Sequence, residues 1–217
     1  MPSQFHSQVG TLVRLGYPGH FGMAAGEFHE SLRPLERFVP ASADIEFDPR
    51  DGKVPFVLVI RSARASVEVT LPLVSRFRKA AIERLYPKQP ADFTPIASVS
   101  LPQGDAYLIQ QIDRGSETLN VTPDDAYQSV LAQGRSPLTI EEGVAVLTHF
   151  PEFLQPNNCF SLLASRCGDK RVPAIWLSDG HPKLGWCWAG NPHTWLGSAS
   201  CSERTEAVAL TGPLSVG

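Results

Sequence analysis

The sequence predicts an α+β fold, and three observations lead to that prediction. Stretches with apolar residues at helical spacing are interspersed with short apolar runs that are typical of strands. Of the 217 residues, 42% are hydrophobic, which is enough to bury the core of one sizeable domain. The 19 prolines divide the chain into many short elements. A single mixed or mainly antiparallel sheet, with helices packed mostly on one face, fits all three observations.

We expect one domain over residues 1–217, because no internal repeat and no clear linker divides the chain. Within this domain, residues 1–40 should form an N-terminal helical segment and residues 54–201 the sheet-containing body. Residues 202–217 are expected to be a flexible tail.

The N-terminal segment has the pattern of two amphipathic helices. In the first fifteen residues, apolar side chains recur at helical spacing, and Pro18 ends the pattern. A second pattern places Phe28 and Leu32 on one face and stops at Pro40. Such a pair is typical of helices that pack over a sheet. The histidines of this segment are then surface or interhelical residues, namely His20 and His29.

Four segments of the body can be assigned from their apolar pattern. Residues 54–60 are an unbroken apolar run and predict a strand that is buried on both faces. Residues 76–85 carry four basic side chains. They predict a helix whose charged side faces solvent or, alternatively, forms a basic patch for an acidic partner. Residues 106–112 and 118–121 predict a β-hairpin with Gly115 in its turn.

Two further helices have clear start signals. Thr122 can cap a helix whose first turn contains a proline and two aspartates, and Gly134 ends this helix. Thr139 and Glu142 have the spacing of a capping box, which opens a helix that stops before the next proline. His149 lies in the last turn of that helix, where a histidine usually complements the helix dipole.

Residues 157–201 have a composition unlike the rest of the chain. All four tryptophans and all four cysteines fall within this stretch, together with arginines, histidines and glycines. Tryptophan rings stack, arginine forks bind anions and glycine lets a ligand approach the backbone, so the mixture is typical of a ligand pocket. The stretch therefore indicates where a functional site lies without defining its chemistry. Its cysteines are Cys159, Cys167, Cys187 and Cys201, and its tryptophans are Trp176, Trp186, Trp188 and Trp195.

Two predicted strands flank a tight turn at Gly168-Asp169, and a regular hairpin would place Arg166 directly opposite Arg171. Like charges at paired positions repel each other, so an anion is expected between them. That anion is either a protein carboxylate such as Asp169 or a ligand that carries carboxylate, phosphate or sulfate. Alternatively, both arginine side chains extend into water at a loop tip.

A third strand is predicted over residues 183–190. Its alternation should place Trp186 and Trp188 on one face and Cys187 on the other. The two indoles form either a wall for a substrate or a half-buried part of the core. We include Lys183, at the start of this strand, among the substrate-binding residues.

The loop after this strand carries the best candidate for proton transfer. Asn191 and Trp195 flank His193 in a turn, and a histidine in a loop beside tryptophans is either structural or a functional acid or base. A cysteine–histidine nucleophile is conceivable, because Cys187 and Cys201 flank His193 in sequence. Buried structural cysteines are the alternative.

The composition and the absence of known motifs exclude several classes of function. A formal net charge of −3 gives no electrostatic reason to bind nucleic acid or an anionic membrane. No apolar run has the length of a membrane helix, and the first residues lack a signal-peptide pattern, so we expect a cytoplasmic protein with reduced thiols. The cysteine spacings lack the close pairs of a zinc ribbon, although a dispersed zinc site stays open. Signature loops for nucleotides, serine hydrolases and zinc proteases are missing.

Three segments together resemble an actinobacterial domain family of unknown function. They are residues 133–140 (QGRSPLTI), residues 160–173, and residues 183–197 (KLGWCWAGNPHTWLG). The resemblance covers roughly residues 54–201, whereas residues 75–90 depart from a Gly-Lys-Gly-type loop of the family. It brings no established catalytic residues. It implies an association with natural-product pathways, including those that build strained nitrogen rings.

From these observations we expect a cofactor-independent enzyme or enzyme subunit that acts on a small anionic metabolite. The arginines and lysine would hold the anion, the indoles would exclude water, and a histidine with Asp169 would move a proton. Intramolecular attack by an amine could close a ring with loss of sulfate or phosphate, a step that rests on the resemblance. The expected catalytic residues are His193 and Asp169, and the expected substrate-binding residues are Arg166, Arg171, Lys183, Trp186, Trp188, Asn191 and Trp195.

The alternative is a non-catalytic ligand-binding or protein-interaction module with a tryptophan-rich surface. A deep pocket lined by His193 and both arginines would favour the enzyme, and a flat apolar face would favour the module. No cofactor, metal, nucleic acid or membrane is expected as a partner. A homodimer or a heterodimer stays open.

Overall fold

A computed structural model describes residues 3–44 and 46–207 of the chain. The α-helices are α1 (Gln4–Arg14), α2 (Pro18–Phe21), α3 (Ala25–Leu32), α4 (Val67–Thr70), α5 (Pro123–Ala132) and α6 (Ile140–His149). The strands are β1 (Lys53–Ile60), β2 (Ser75–Arg76), β3 (Lys79–Ala80), β4 (Ile82–Glu83), β5 (Thr94–Pro95), β6 (Ala106–Asp113), β7 (Ser136–Pro137), β8 (Cys159–Ser161), β9 (Ser165–Arg166), β10 (Arg171–Ser178), β11 (His181–Trp188), β12 (Leu196–Ser198), β13 (Ser200–Cys201) and β14 (Glu203–Thr205). The predicted α+β class is confirmed.

Two five-stranded sheets, together with two small ladders, take the place of the single predicted sheet. The first sheet has the order β1-β6-β13-β7, with β14 also paired to β6, and its strands are antiparallel. The second has the order β12-β8-β10-β11-β4, in which the β12–β8 and β11–β4 pairs are parallel. The small ladders are β2-β3 and β5-β9. No helix in residues 3–44 and 46–207 is both long enough and apolar enough to cross a membrane.

Strand β1 is buried on both faces, as predicted, and this burial explains the layered arrangement. Its alternate residues enter two different cores, so helices cover the first sheet from both faces instead of mostly from one. One core joins β1 to the N-terminal helices through Phe5, Val9, Leu12, Phe28, Phe56, Leu58 and Leu108. The other joins β1 to α5, α6 and the second sheet through Val57, Val59, Tyr107, Ala126, Val144, Leu147, Phe160, Ile175 and Leu184.

The outer edge of β1 is closed by two side chains instead of a further strand. The Gln8 amide of α1 donates to the Phe56 carbonyl at 3.1 Å and accepts from the Leu58 N–H at 2.8 Å. His149 Nε2 lies 2.9 Å from the Leu58 carbonyl oxygen. Unpaired strand edges are templates for association with other chains, and these contacts satisfy such groups within the fold.

A buried ion pair ties the C-terminal strand to the start of α6. Arg204 on β14 donates to both carboxylate oxygens of Glu142, with distances of 2.6 Å from Nε and 2.8 Å from Nη2. Glu142 has no exposed surface, and the Tyr107 hydroxyl lies 3.0 Å from its Oε1. Burial alone would lower the pKa of Arg204, but the Glu142 charge raises it above its ordinary value. Burial, followed by the Glu142 and Glu141 charges, raises the pKa of Tyr107 well above 10.

The helix starts predicted for α5 and α6 are confirmed. The Thr122 hydroxyl accepts from the Asp125 N–H at 3.1 Å. Thr139 and Glu142 form the predicted capping box, in which the Thr139 N–H donates to the Glu142 carboxylate at 2.8 Å. The N-terminal pair is confirmed as well. The His29 ring of α3 packs 5.1 Å from the His6 ring of α1, so His29 is interhelical.

Three predictions for the body and the tail are wrong. Residues 76–85 form no helix, since β2 and β3 pair across a turn in which Phe77 and Arg78 have positive φ. Residues 118–121 form no strand, because β6 pairs with β1 and the chain after Gly115 enters a 3-10 turn. Residues 202–207 are not a loose tail, because they contain β14. The rest of the expected tail lies outside the described residues.

The role predicted for His149 is also wrong. Its Nδ1 is buried without a hydrogen-bond partner, and burial lowers the pKa of the imidazole from an ordinary 6.5 to about 4. The ring is therefore neutral at pH 7 and does not complement the dipole of α6 as a cation. Its Nε2 instead contacts the Leu58 carbonyl oxygen at the edge of β1.

Substituting Arg204 by alanine should destabilise the protein by about 3–5 kcal/mol, because Glu142 would keep a buried charge without its partner. Denaturant unfolding of both proteins measures this loss. The matched control is Glu203→Gln on the same strand, where the exposed side chain should change stability by less than about 0.5 kcal/mol. Equal effects of the two substitutions would contradict a central role for the pair.

The neutral state of His149 should make the fold sensitive to acid. The unfolded chain takes up a proton near pH 6.5 and the folded one near pH 4, so this stability is fully present above 6.5 and is lost toward 4. At about 1.4 kcal/mol per pKa unit, the expected loss is on the order of 3 kcal/mol. His149→Gln should flatten the stability profile between these pH values, measured by denaturant unfolding, whereas His20→Gln at an exposed position should leave it unchanged. An identical profile in His149→Gln would refute this assignment.

Candidate functional site

The β10–β11 hairpin is the scaffold of the tryptophan-rich stretch. Its register pairs Trp176 with Lys183, Ala174 with Gly185, and Val172 with Cys187. Strand alternation therefore places Trp176, Gly185 and Cys187 on one face of the sheet. Trp186 and Trp188 lie on the other face with Leu184, so the predicted strand and its predicted alternation are confirmed.

A cavity of about 350 Å³ lies at the end of this hairpin, and we call it the tryptophan cavity. Because β4 pairs only with Lys183 and Leu184, the rest of β11 is at a sheet edge that residues of both faces can reach. The described residues that line the cavity are Ala174, Trp176, Trp186, Cys187, Trp188, Asn191, His193, Trp195 and Leu196. Five predicted site residues thus come together, and none of the predicted cationic ones is among them.

Trp176 is the one tryptophan of the cavity lining that is not among the predicted site residues. Its indole lies against Gly185, where an added Cβ would overlap the ring. The same indole forms an edge contact with Trp195, with ring centroids 6.5 Å apart. The signal in the sequence was a bulky residue and a glycine on adjacent strands, but only the register of the hairpin shows that they meet.

His193 contributes a free imidazole to the cavity. Its carbonyl oxygen accepts from the N–H groups of Asn120 at 2.8 Å and Leu196 at 3.3 Å, so the loop backbone is anchored. The ring packs 5.2 Å from the Trp195 indole, and no other described residue hydrogen-bonds with its nitrogens. The imidazole can therefore donate or accept a proton toward a bound molecule.

The floor of the cavity contains a thiol that is not set up as a nucleophile. Cys187 is 8% exposed, and burial raises the pKa of its thiol. Its Sγ lies 3.9 Å from the hydroxyl oxygen of Ser161, and it has no hydrogen bond to His193 in the described structure. Arg166 lies near enough to lower the pKa of Cys187 slightly against the effect of burial.

Arg166 and Arg171 do not face each other, so the predicted pairing is wrong. Arg171 in β10 pairs with Trp188, whereas Arg166 belongs to β9 and pairs with Thr94 of β5. The strand opposite β10 is β8, in a register that aligns Ala174 with Ser161. Arg166 therefore lies outside the strand pairs that β10 forms.

The anion next to Arg171 is Asp169, one of the alternatives that the sequence left open. The Arg171 N–H, 2.8 Å from Oδ1, lowers the pKa of the Asp169 carboxyl, and the ion pair between the side chains adds to this effect. The Arg171 guanidinium lies 4.6 Å from the Trp186 ring centroid and 5.1 Å from that of Trp188. Trp186 and Trp188 thus hold a protein cation on their face of the sheet.

The other two cations are engaged with protein groups as well. Arg166 Nη1 donates to the carbonyl oxygens of Leu163 and Ser165, and burial lowers the pKa of this guanidinium. Lys183 Nζ donates to the Ser178 hydroxyl at 2.8 Å and to Asp179 at 3.1 Å. Within the described residues, no three histidine, cysteine, aspartate or glutamate side chains are grouped so that they could hold a metal ion.

The cysteines should differ sharply in reactivity. All four are unpaired, and Cys167 alone is partly exposed, although burial and Asp169 raise the pKa of its thiol. Burial raises the pKa of Cys201 to about 12. At pH 8, a thiol reagent should modify Cys167 in the native protein and the other three only after denaturation, as counted by mass spectrometry. Cys167→Ser should abolish the native reaction, and any native labelling that survives in it would contradict this order.

The comparisons with known proteins identify a family and nothing more specific. No curated protein matches the sequence. No solved structure matches it either. One family matches residues 11–207 and therefore most of the chain, including both sheets and the tryptophan cavity. The chain belongs to the family of unknown function DUF5701.

Proposed function

We propose that this protein binds a small metabolite in the tryptophan cavity and that His193 is the group that exchanges a proton with it. The observation behind this proposal is the free His193 imidazole in a cavity otherwise lined mainly by indole rings and apolar side chains. Metabolite sites are typically apolar clefts of about 300–1,000 Å³ with a few placed polar groups. The cavity volume and lining fit that description.

The shape of the surface favours a small molecule over a protein partner. A protein interface of ordinary strength needs a broad, nearly flat surface of roughly 800 Å² on each partner. The tryptophans here form a concave site, and Trp188 is the indole with the largest exposure, at 42%. The Trp195 and Trp176 rings meet edge to face in the lining of the cavity. Stacking against such rings suits a flat apolar ligand.

The charges near the cavity favour a ligand that is neutral or anionic. No aspartate, glutamate, lysine or arginine is among its described lining residues. Outside the lining, the Arg166 charge lowers the pKa of Cys187 against the larger effect of burial, and the Asp124 charge raises the pKa of Arg166 against the effect of burial. The polar end of the ligand would bond to His193 and Asn191, whose side chains have no hydrogen-bond partner among the described residues.

A second candidate is the enzyme anticipated from the sequence, acting on a small anionic metabolite. His193 favours it, because a positioned imidazole can serve as general acid or base. In this proposal Arg166 attracts the anion, while Arg171, Lys183 and Asp169 keep their protein partners and support the site from outside. Ring closure with loss of sulfate or phosphate, in an actinobacterial natural-product pathway, is the most specific form of the proposal. It draws on the resemblance described above.

Three matched probes test the binding proposal: indole-3-acetate, tryptamine and indole share one flat body and differ in charge. Calorimetric titration should show that indole-3-acetate binds more tightly than tryptamine, because its carboxylate can accept from His193 and Asn191, whereas the described lining residues offer no carboxylate to the ammonium group. His193→Phe preserves the stacking surface but removes a hydrogen bond, so it should weaken binding about fivefold to tenfold. Trp195→Ala should weaken it by a similar factor.

The matched control is His181→Phe, the same substitution on β11 at a position outside the cavity lining. It should leave the affinity for indole-3-acetate unchanged. If none of the three probes binds, or if both cavity variants bind like the unmodified protein, the proposed site is wrong.

A further inference from the structure

A second cavity, of about 380 Å³, shares no lining residue with the tryptophan cavity. It lies between the first turn of α6 and the segment that leads from β1 into α4. On one side it is bordered by Arg61 and Glu141, and on another by apolar groups that include Val67, Phe93 and Leu101. We call it the arginine–glutamate cavity.

Arg61 and Glu141 are both held in place by the protein. The Glu141 carboxylate accepts from the Ser62 N–H at 2.9 Å, and the Tyr107 hydroxyl lies 3.0 Å from its other oxygen. The Arg61 guanidinium donates to the Pro102 carbonyl oxygen. The two side chains are nevertheless partly open to solvent, with 21% of Arg61 and 11% of Glu141 exposed. Charges fixed in this way lose little freedom when a ligand arrives.

The contact between these two groups is an open ion pair. Arg61 Nε lies 3.3 Å from Glu141 Oε1, but this nitrogen has no hydrogen-bond partner. The Arg204–Glu142 pair next to it in the fold is different, since two short hydrogen bonds join the guanidinium fork to both carboxylate oxygens. Arg204 and Glu142 therefore satisfy each other. Arg61 and Glu141 lack such hydrogen bonds to each other, so both can still form hydrogen bonds to a third group.

The charge pattern restricts what the cavity can take. A simple anion would meet the carboxylate of Glu141 and that of Glu68, which also lines the cavity. A simple cation would meet Arg61. A neutral apolar molecule would displace water from Arg61 and Glu141 without offering hydrogen bonds in its place, and this desolvation costs free energy. A ligand with charges of both signs and an apolar part has a complementary group for Arg61, for the carboxylates and for the apolar side chains.

We propose that the arginine–glutamate cavity binds a small zwitterion of the amino-acid type. Its ammonium group contacts Glu141, its carboxylate contacts Arg61, and its apolar side chain packs against Val67 and Phe93. This site is separate from the proposed metabolite site in the tryptophan cavity. The protein thus has two small-molecule sites of different chemistry.

Free leucine, N-acetyl-leucine and leucinamide test this proposal, because the second lacks the ammonium group and the third lacks the carboxylate. Titrations followed by amide NMR should show that leucine shifts the signals of Ser62 and Glu141. Each analogue should bind at least about tenfold more weakly, since each leaves one protein charge unpaired. Alanine and phenylalanine extend the series to a smaller and a larger apolar part.

Two variants locate the binding. Ala63→Trp places a large ring at an exposed lining position without altering the charged groups, and it should abolish the leucine shifts. Glu141→Gln should weaken leucine binding at least about tenfold. Should Glu141→Gln fail to fold, Ala63→Trp decides the matter alone. The matched control is Ala91→Gly, which removes one methyl group from the lining and should retain binding.

Three results would overturn the proposal: no shift with alanine, leucine or phenylalanine, equal binding of leucine and its two analogues, or leucine binding that persists in Ala63→Trp. All four tryptophans lie outside this cavity, so leucine should not displace indole-3-acetate from the protein. Failure of either site therefore leaves the test of the other intact.

Discussion

The buried contact of Arg204 with Glu142 is the constraint on which the rest of the structure depends. Glu142 lies in the first turn of α6, and Arg204 comes from the last described strand, so the pair joins parts of the chain that are 62 residues apart. Tyr107 connects the pair to the middle of β6 and, through its hydroxyl, to Glu141. The start of α6 is thereby fixed against the first sheet, and Ile140 and Glu141 in that first turn line the arginine–glutamate cavity.

The two cavities show how one fold can separate two kinds of chemistry. On β10 and β11, a glycine opposite alanine leaves room for the Trp176 indole, and the result is a pocket without formal charge. Beside α6, backbone groups hold the Glu141 carboxylate and the Arg61 guanidinium, which form an ion pair without a hydrogen bond from Arg61 Nε. In both places the protein backbone positions the functional side chain, so that neither site depends on a long flexible loop.

Much of the fold could be predicted because its signals are local. Caps at Thr122 and Thr139, the apolar run of β1 and the alternation of β11 are each encoded within about ten neighbouring residues. Pairing between distant segments could not be predicted. The hairpin expected at Gly115 gave way to pairing of β6 with β1, and Arg166 was drawn into a ladder with β5. For the same reason Trp176 and the Arg61–Glu141 pair were missed, since their partners are set by strand register and by packing between elements.

The side chains of Gln8 and His149, which cover the edge of β1, affect how the protein aggregates when it unfolds in part. Gln8 and His149 occupy hydrogen-bonding groups of Phe56 and Leu58 in a strand whose residues are almost all buried. If α1 detaches while the sheets stay intact, the Phe56 carbonyl oxygen and the Leu58 N–H lose their Gln8 partner, and part of the edge of an apolar strand is uncovered. Such an edge pairs readily with its counterpart on a second molecule. Partial opening at the N-terminus would therefore favour ordered aggregation before the chain has lost its core, and storage or expression conditions that protect α1 would limit it.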